Sequence, residues 1–197
     1  ETDNTLQTMK RTVLIISCLL SIISAIYGQN YYWYKGKQIP LKIGTQRYIL
    51  YEDSDKTNSD FPQVIDGGDI ADYKDKKLKW GIVEQITPIV SKDVVYQIPS
   101  FLCYDTTKNL LVTHRFYVKL KSEDNFFSLQ YMVHKYNAEI EERDLDLWYV
   151  IRCGLNSQYN ALELANIFYE SGTFAATEPE FIFTAQPNCV NDPQFFN

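Results

Sequence analysis

The chain has 197 residues and a net charge of −6; it is 45% hydrophobic and 15% aromatic, with fifteen tyrosines. An acidic balance of this size argues against a nucleic-acid partner, since such binding relies on Lys and Arg to neutralise phosphates. Aromatic residues at this level suit strands and a contact surface that is half wet.

Glu1 to Thr8 are polar and patternless and read as residues upstream of a better start, Met9. Met9-Lys10-Arg11 is basic, Val13 to Ile26 is mostly apolar, and Tyr27-Gly28-Gln29 supplies a small residue at a cleavage point. That order is a secretory signal peptide over residues 9–28, which predicts a secreted or periplasmic protein that meets the membrane only before cleavage. A transmembrane anchor fits less well, because the apolar run would cover only about 21 Å of a roughly 30 Å hydrocarbon core. Ile15-Ile16-Ser17-Cys18 loosely resembles a lipobox, but the apolar run before Cys18 is too short.

From residue 29 to 109 the sequence predicts a β-rich region. Tyr31-Tyr32-Trp33-Tyr34, Lys35-Gly36-Lys37 and Gln38-Ile39-Pro40-Leu41 read as a hairpin with a glycine turn. Arg47 to Tyr51 is a further strand. Asp53 to Lys79 is loose and polar, with Asp66-Gly67-Gly68-Asp69 as a turn and room for at most a short helix. Strands resume at Gly81 to Ile86 and Val94 to Cys103.

Residues 110–185 carry a sharper pattern. Leu110 to Lys121 alternates with Val112, His114, Phe116, Val118 and Leu120 on one face. Ser122 is an N-cap, with Glu123 and Asp124 in the first turn. Phe126, Leu129, Val133 and Tyr136 make one helix face, and Asn137 suits a left-handed cap. Ala138 to Arg143 and Leu147 to Cys153 are strands. Asn160 and Glu163 open a second helix whose buried stripe is Ala161, Leu164, Ala165 and Phe168, with Gly172 as its stop. A last strand runs from Phe174 towards Phe183. The order is β-α-β-β-α-β. Right-handed crossovers then give an α+β fold: a ferredoxin-like antiparallel sheet with two helices on one face and the other face open.

Chemistry-bearing patterns are sparse. Cys103, Cys153 and Cys189 are widely spaced, with no Cys-x-x-Cys or Cys/His pair, so neither metal nor cofactor is expected. The only histidines, His114 and His134, lie on a strand and a helix and read as structural or surface residues. No nucleophile elbow, zinc helix or phosphate loop occurs. Glu139-Ile140-Glu141-Glu142 reads as a solvated or docking edge, because consecutive strand carboxylates point to opposite faces. No catalytic triad is expected within this chain.

Two stretches resemble a known family. Leu147-Trp148-Tyr149-Val150-Ile151, and Leu162 to Gly172 followed by Phe174-Ala175-Ala176, are similar to the third strand, second helix and fourth strand of subtilisin-like serine protease (subtilase) pro-regions. Asn191-Asp192-Pro193-Gln194-Phe195-Phe196-Asn197 resembles the opening of the catalytic domain in that family, where Gln-Trp-Gly usually follows. The hairpin Tyr31 to Leu41 resembles the start of extended N-terminal regions in one bacterial branch. The likeness is strong after Leu110 and weak from Asp53 to Cys103.

The resemblance implies an intramolecular chaperone and inhibitor of the chain's own subtilisin-like catalytic domain, which would be its partner, with residues 186–197 as linker and start of that domain. It implies that a tail after the fourth strand enters the enzyme's cleft: Glu178, Pro179, Glu180, Phe181, Ile182, Phe183, Thr184, Ala185, Gln186, Pro187 and Asn188. The alternative is a free-standing secreted binding module or protease inhibitor of the same fold.

Overall fold

The computed structural model describes residues 30–52, 61–73, 76–102, 109–143, 146–154 and 157–183. The expected signal peptide, Cys18, Cys103, Cys189 and the stretch from Thr184 to Asn197 lie outside them. Among the described residues no helix is long and apolar enough to cross a membrane.

The hairpin forms as its turn chemistry dictates. Strands β1 (Tyr31–Tyr34) and β2 (Lys37–Pro40) pair antiparallel, with Tyr34 opposite Lys37. Lys35 and Gly36 both take positive φ, 45° and 77°. Positive φ at both turn residues matches the twist of the strands, and glycine removes the steric cost at one of them.

Four longer strands follow: β3 (Lys42–Glu52), β4 (Val64–Tyr73), β5 (Lys76–Val83) and β6 (Val94–Leu102). The polar stretch expected to be a loose loop is therefore largely a β-hairpin. Asp66-Gly67-Gly68-Asp69 is not a turn but the middle of β4, with Gly67 opposite Gly81 and Gly68 opposite Trp80. The glycines serve close approach instead. A Cβ at Gly67 would sit 2.5 Å from the Trp80 carbonyl oxygen, and one at Gly68 would sit 2.9 Å from the Trp80 indole nitrogen. β5 likewise spans Lys76–Val83, not the expected Gly81 to Ile86.

The second half follows the sequence pattern closely: β7 (Asn109–Lys119), a 3-10 turn (Glu123–Asn125), α1 (Phe126–Lys135), β8 (Ala138–Arg143), β9 (Trp148–Cys153), α2 (Ala161–Glu170) and β10 (Ala176–Phe183). Asn137 has φ 53° and Gly172 has φ 67°, as residues that stop helices do. At the start of α2, Glu163 N–H donates to Asn160 Oδ1 at 3.0 Å and Asn160 N–H donates to Glu163 Oε2 at 2.9 Å. Two of the orphan amides at that end are thus satisfied reciprocally.

The strands other than β1 and β2 join one sheet in the order β4-β5-β3-β6-β7-β9-β8, with β10 paired to β7 as well. All recorded pairings are antiparallel. The two halves meet through a short seam, Phe101 opposite Leu110 and Leu102 opposite Asn109. Side chains reinforce it. Tyr96 Oη donates to the Thr113 carbonyl and accepts from Ala161 N–H at 3.0 Å, which ties β6, β7 and α2 at one atom. The largest core cluster runs across the seam, from Tyr48, Ile82, Ile98 and Phe101 to Phe116, Leu129, Ile151, Leu164 and Phe168. Both helices therefore bury their apolar stripes against the same sheet face.

The aromatic hairpin packs on α2 and, through the Tyr32 ring 5.2 Å from that of Phe181, on β10. Asn166 Nδ2 donates to the Tyr31 carbonyl at 2.7 Å, Trp33 stacks on Tyr169 at 4.8 Å, and Tyr31 Oη and Trp33 Nε1 both donate to Glu170. Leu162 and Asn166, outside the stripe expected to be buried, are buried with it.

Phe168 is fully buried against Phe116, Phe174 and Tyr136. Phe168→Ala should cost about 3–5 kcal/mol, and Glu163→Ala, which removes half of the capping box, about 1 kcal/mol. Urea midpoints that coincide for the two variants would contradict this packing.

Candidate functional site

The helix-free face of β10, β7, β9 and β8 carries a band of charge that follows from strand alternation. Arg115 lies opposite Arg152 across β7 and β9, and Glu139 lies opposite Arg152 across β8 and β9. Two arginines directly opposite one another repel unless neutralised. Carboxylates on both flanks do so. Arg152 Nη2 donates to Glu139 Oε2 at 3.2 Å, while Glu141 lies 3.7 Å from Arg152 and 3.8 Å from Arg115. Glu139 and Glu141 thus turn to the arginines, and Ile140 between them packs on the core. Two of the three carboxylates of the acidic run belong to this network; Glu142 is exposed, as is Glu141 in part of its surface.

Glu180 closes the band on the other side. The pairing of β10 with β7 shifts between Pro179 opposite Phe116 and Phe181 opposite Val112, so Glu180 faces the bulged stretch Thr113 to Arg115. Arg115 donates to its carboxylate from Nε at 2.9 Å and from Nη2 at 2.7 Å, Tyr117 Oη donates at 3.1 Å, and Thr113 Oγ1 donates at 2.5 Å. Burial alone would raise the Glu180 pKa, but the Arg115, Thr113 and Tyr117 hydrogen bonds hold it below the usual carboxylate range. A bulge that re-aims side chains next to a cleft is a recurrent use of this irregularity.

Beside this node a cleft of about 640 Å³ opens between the β4–β5 hairpin and the β7–β10 pair. The ring of Tyr48 stacks between His114 (6.1 Å between centroids) and Trp80 (6.2 Å). Tyr48 Oη and His114 Nδ1 are 3.0 Å apart. Burial, together with the Arg115 and Arg152 charges, pushes the His114 pKa down to about 4. Burial pushes the Tyr48 phenol well up. The pair is therefore a neutral imidazole and a protonated phenol at pH 7. Cys153 is free and buried, and burial raises its thiol pKa in the same way. Among the described residues no group of His, Cys, Asp and Glu is arranged to hold a metal ion. Aromatic walls, fixed charges and neutral acid–base groups suit binding.

Of the expected tail, Glu178 to Phe183 are the C-terminal part of β10, paired with β7. Thr184, Ala185, Gln186, Pro187 and Asn188 lie outside the described residues. Sequence reasoning did not single out Arg115, Arg152, Tyr48 or Trp80. The available signal was Arg115, Tyr117 and Lys119 at every second position of a strong strand, which marks a polar face in need of partners. Comparison of the chain with family models, curated proteins and solved structures finds no match.

Acid should weaken the fold through His114. Above pH 6.5 the imidazole is neutral whether folded or unfolded, so it has no effect on stability. Between pH 6.5 and 4 the unfolded chain takes up a proton that the folded chain resists, so stability falls as pH falls, by up to about 3 kcal/mol from this residue. Glu180 adds a loss of the same sign only lower down, as pH falls below its unfolded carboxylate pKa, about 4.3. Urea unfolding across this range should show the His114 slope, and His114→Gln should flatten it between pH 6.5 and 4. An unchanged slope would contradict a neutral buried His114.

Proposed function

We propose that the chain is the pro-region of a secreted or periplasmic subtilisin-like serine endopeptidase, acting as intramolecular chaperone and inhibitor of its own catalytic domain. The observation that carries this is the strand order β10-β7-β9-β8 with α1 and α2 packed together on one face. That order supports a ferredoxin-like β-α-β-β-α-β unit from β7 to β10, with β3 to β6 as an N-terminal extension of its sheet. The helix-free face, with half-buried Tyr117, Trp148, Arg115, Arg152 and Glu139 and exposed Glu141, mixes charged and aromatic side chains. Faces of that character suit a docking area of about 800 Å² per partner.

On this reading the position of β10 leaves less of the expected tail for the cleft. Glu178 to Phe183 already pair with β7, so Thr184 to Asn188 form the part that would enter a substrate cleft. Pro187 favours an extended backbone there, as strand addition requires. Asn191-Asp192-Pro193 would then begin the enzyme. Binding the folded catalytic domain in preference to its unfolded form stabilises it by mass action, which is the physical content of the chaperone role. Nucleic acid, cofactor and metal have no part in this function. The chain itself is read as having no peptidase activity, since among the described residues His114 meets the Tyr48 hydroxyl rather than a serine or cysteine. The runner-up is a free-standing secreted binding module or inhibitor, and the cleft beside Trp80 is the feature that favours it.

Added in trans, the chain should inhibit the catalytic domain that this reading places after Asn191-Asp192-Pro193. Truncation after Thr177 would strip six residues from β10, so the informative cut is after Phe183. That truncated chain should keep its circular dichroism spectrum and lose at least about tenfold in affinity, the 1.4 kcal/mol expected of a few strand-addition hydrogen bonds. Equal inhibition by both would place the inhibitory contact on the sheet face, and no inhibition by either would favour the binding module.

A second expectation concerns chemistry. The purified chain should not hydrolyse casein or a generic peptide substrate. Hydrolysis abolished by His114→Ala with His134→Ala would overturn the non-catalytic assignment.

A further inference from the structure

The cleft between the β4–β5 hairpin and the β7–β10 pair has a composition that docking of the sheet face does not explain. Rings of Tyr48, Trp80 and Phe181 and the aliphatic Ile70 and Ile182 line it. Its charged lining is three carboxylates, Asp69, Glu141 and Glu180, against two guanidinium groups, Arg115 and Arg152.

The arginines are already matched. Arg115 is held in a two-pronged pair with Glu180, and Arg152 donates to Glu139. Two carboxylates keep acceptor capacity in hand. Glu141 lies 3.7 and 3.8 Å from the arginines, beyond hydrogen-bonding distance of either. Asp69 is 4.0 Å from Lys79 and its side chain is 87% exposed. His114 adds no positive charge at neutral pH. An indole ring that lines the same cleft as carboxylates engaged only in longer ion pairs is an arrangement that attracts an ammonium or guanidinium group. Ile70, Ile182 and Phe181 can cover the methylene stem that carries such a group. The volume, about 640 Å³, falls in the range of sites that take a small ligand or a short peptide segment.

We propose that this cleft is a recognition site for a basic side chain, arginine or lysine, presented by an extended peptide segment, with Trp80 as the aromatic wall and Glu141 and Asp69 as the acceptors. The site belongs to the folded chain and does not require the pro-region role.

The test uses the full chain labelled with nitrogen-15, following the indole N–H signals at pH 7. Trp80→Phe assigns the Trp80 signal among those of Trp33, Trp80 and Trp148. N-acetyl-arginine amide should shift the Trp80 signal saturably. The uncharged N-acetyl-norleucine amide should bind about tenfold more weakly, the size of effect a partly desolvated cation over an indole produces. N-acetyl-glutamate amide should not bind. Glu141→Gln should weaken the arginine compound several-fold, and Asp69→Asn, a change at an exposed position that leaves packing intact, should do the same to a lesser degree. Rising salt should weaken binding further. Norleucine and arginine compounds of equal affinity, preference for the glutamate compound, or no saturable shift of the Trp80 signal would each overturn the proposal.

Discussion

Four hydrogen bonds converge on the carboxylate of Glu180, and the arrangement of the cleft follows from that convergence. A carboxylate in a half-buried strand is costly unless its lone pairs are used, and a guanidinium fork uses two at once. Meeting that demand fixes three β7 side chains, Thr113, Arg115 and Tyr117, on one β10 residue. It also holds the register shift between Pro179 and Phe181 in place. The bulge leaves His114 among the rings of Tyr48 and Tyr96. Arg115, held by Glu180, lies directly opposite Arg152, and Glu139 and Glu141 answer the resulting repulsion.

The same strand explains why the two halves of the chain form one body. β7 pairs with β6 at its start, with β9 along its second half and with β10 along nearly all of its length. A strand paired on both edges and buried over Leu110 to His114 leaves no free path for a hinge at the seam. Tyr96 adds a polar lock by using one hydroxyl for both the Thr113 carbonyl and the first amide of α2. The boundary expected near residue 109 is thus crossed by both sheet and core.

On the proposed reading, function is a matter of surfaces. The helix face is consumed by α1 and α2, and the second side of α2 is consumed by the aromatic hairpin. What remains is the charged and aromatic sheet face and the cleft at its end, where acid–base groups are neutral and ionised groups are mostly matched. On that reading such groups would hold shape and charge for a partner. A pro-region that docks its sheet on an enzyme and a module that takes a basic side chain would both use Arg115, Arg152 and Glu141, so the two occupants would compete for that part of the surface.

The sequence by itself determined the elements whose signals are local. The Asn160 and Glu163 box, the stripe through Phe168, the left-handed Asn137 and the Lys35-Gly36 turn each depend on residues within a few positions, and each formed where the pattern placed it. Tertiary structure alone decided the rest. Asp66-Gly67-Gly68-Asp69 carries a turn signal, yet its glycines lie in a strand because Trp80, on the next strand, needs the space above them. Asn166 looks like a residue of a solvated helix side until the hairpin, some 135 positions away in sequence, lies on it. Arg115 and Glu180, 65 positions apart, have no reason to be paired in a linear pattern. Their partnership comes from strand order and a register shift, and both are settled only when the whole sheet assembles, because a strand's own alternation names its faces but not its neighbours.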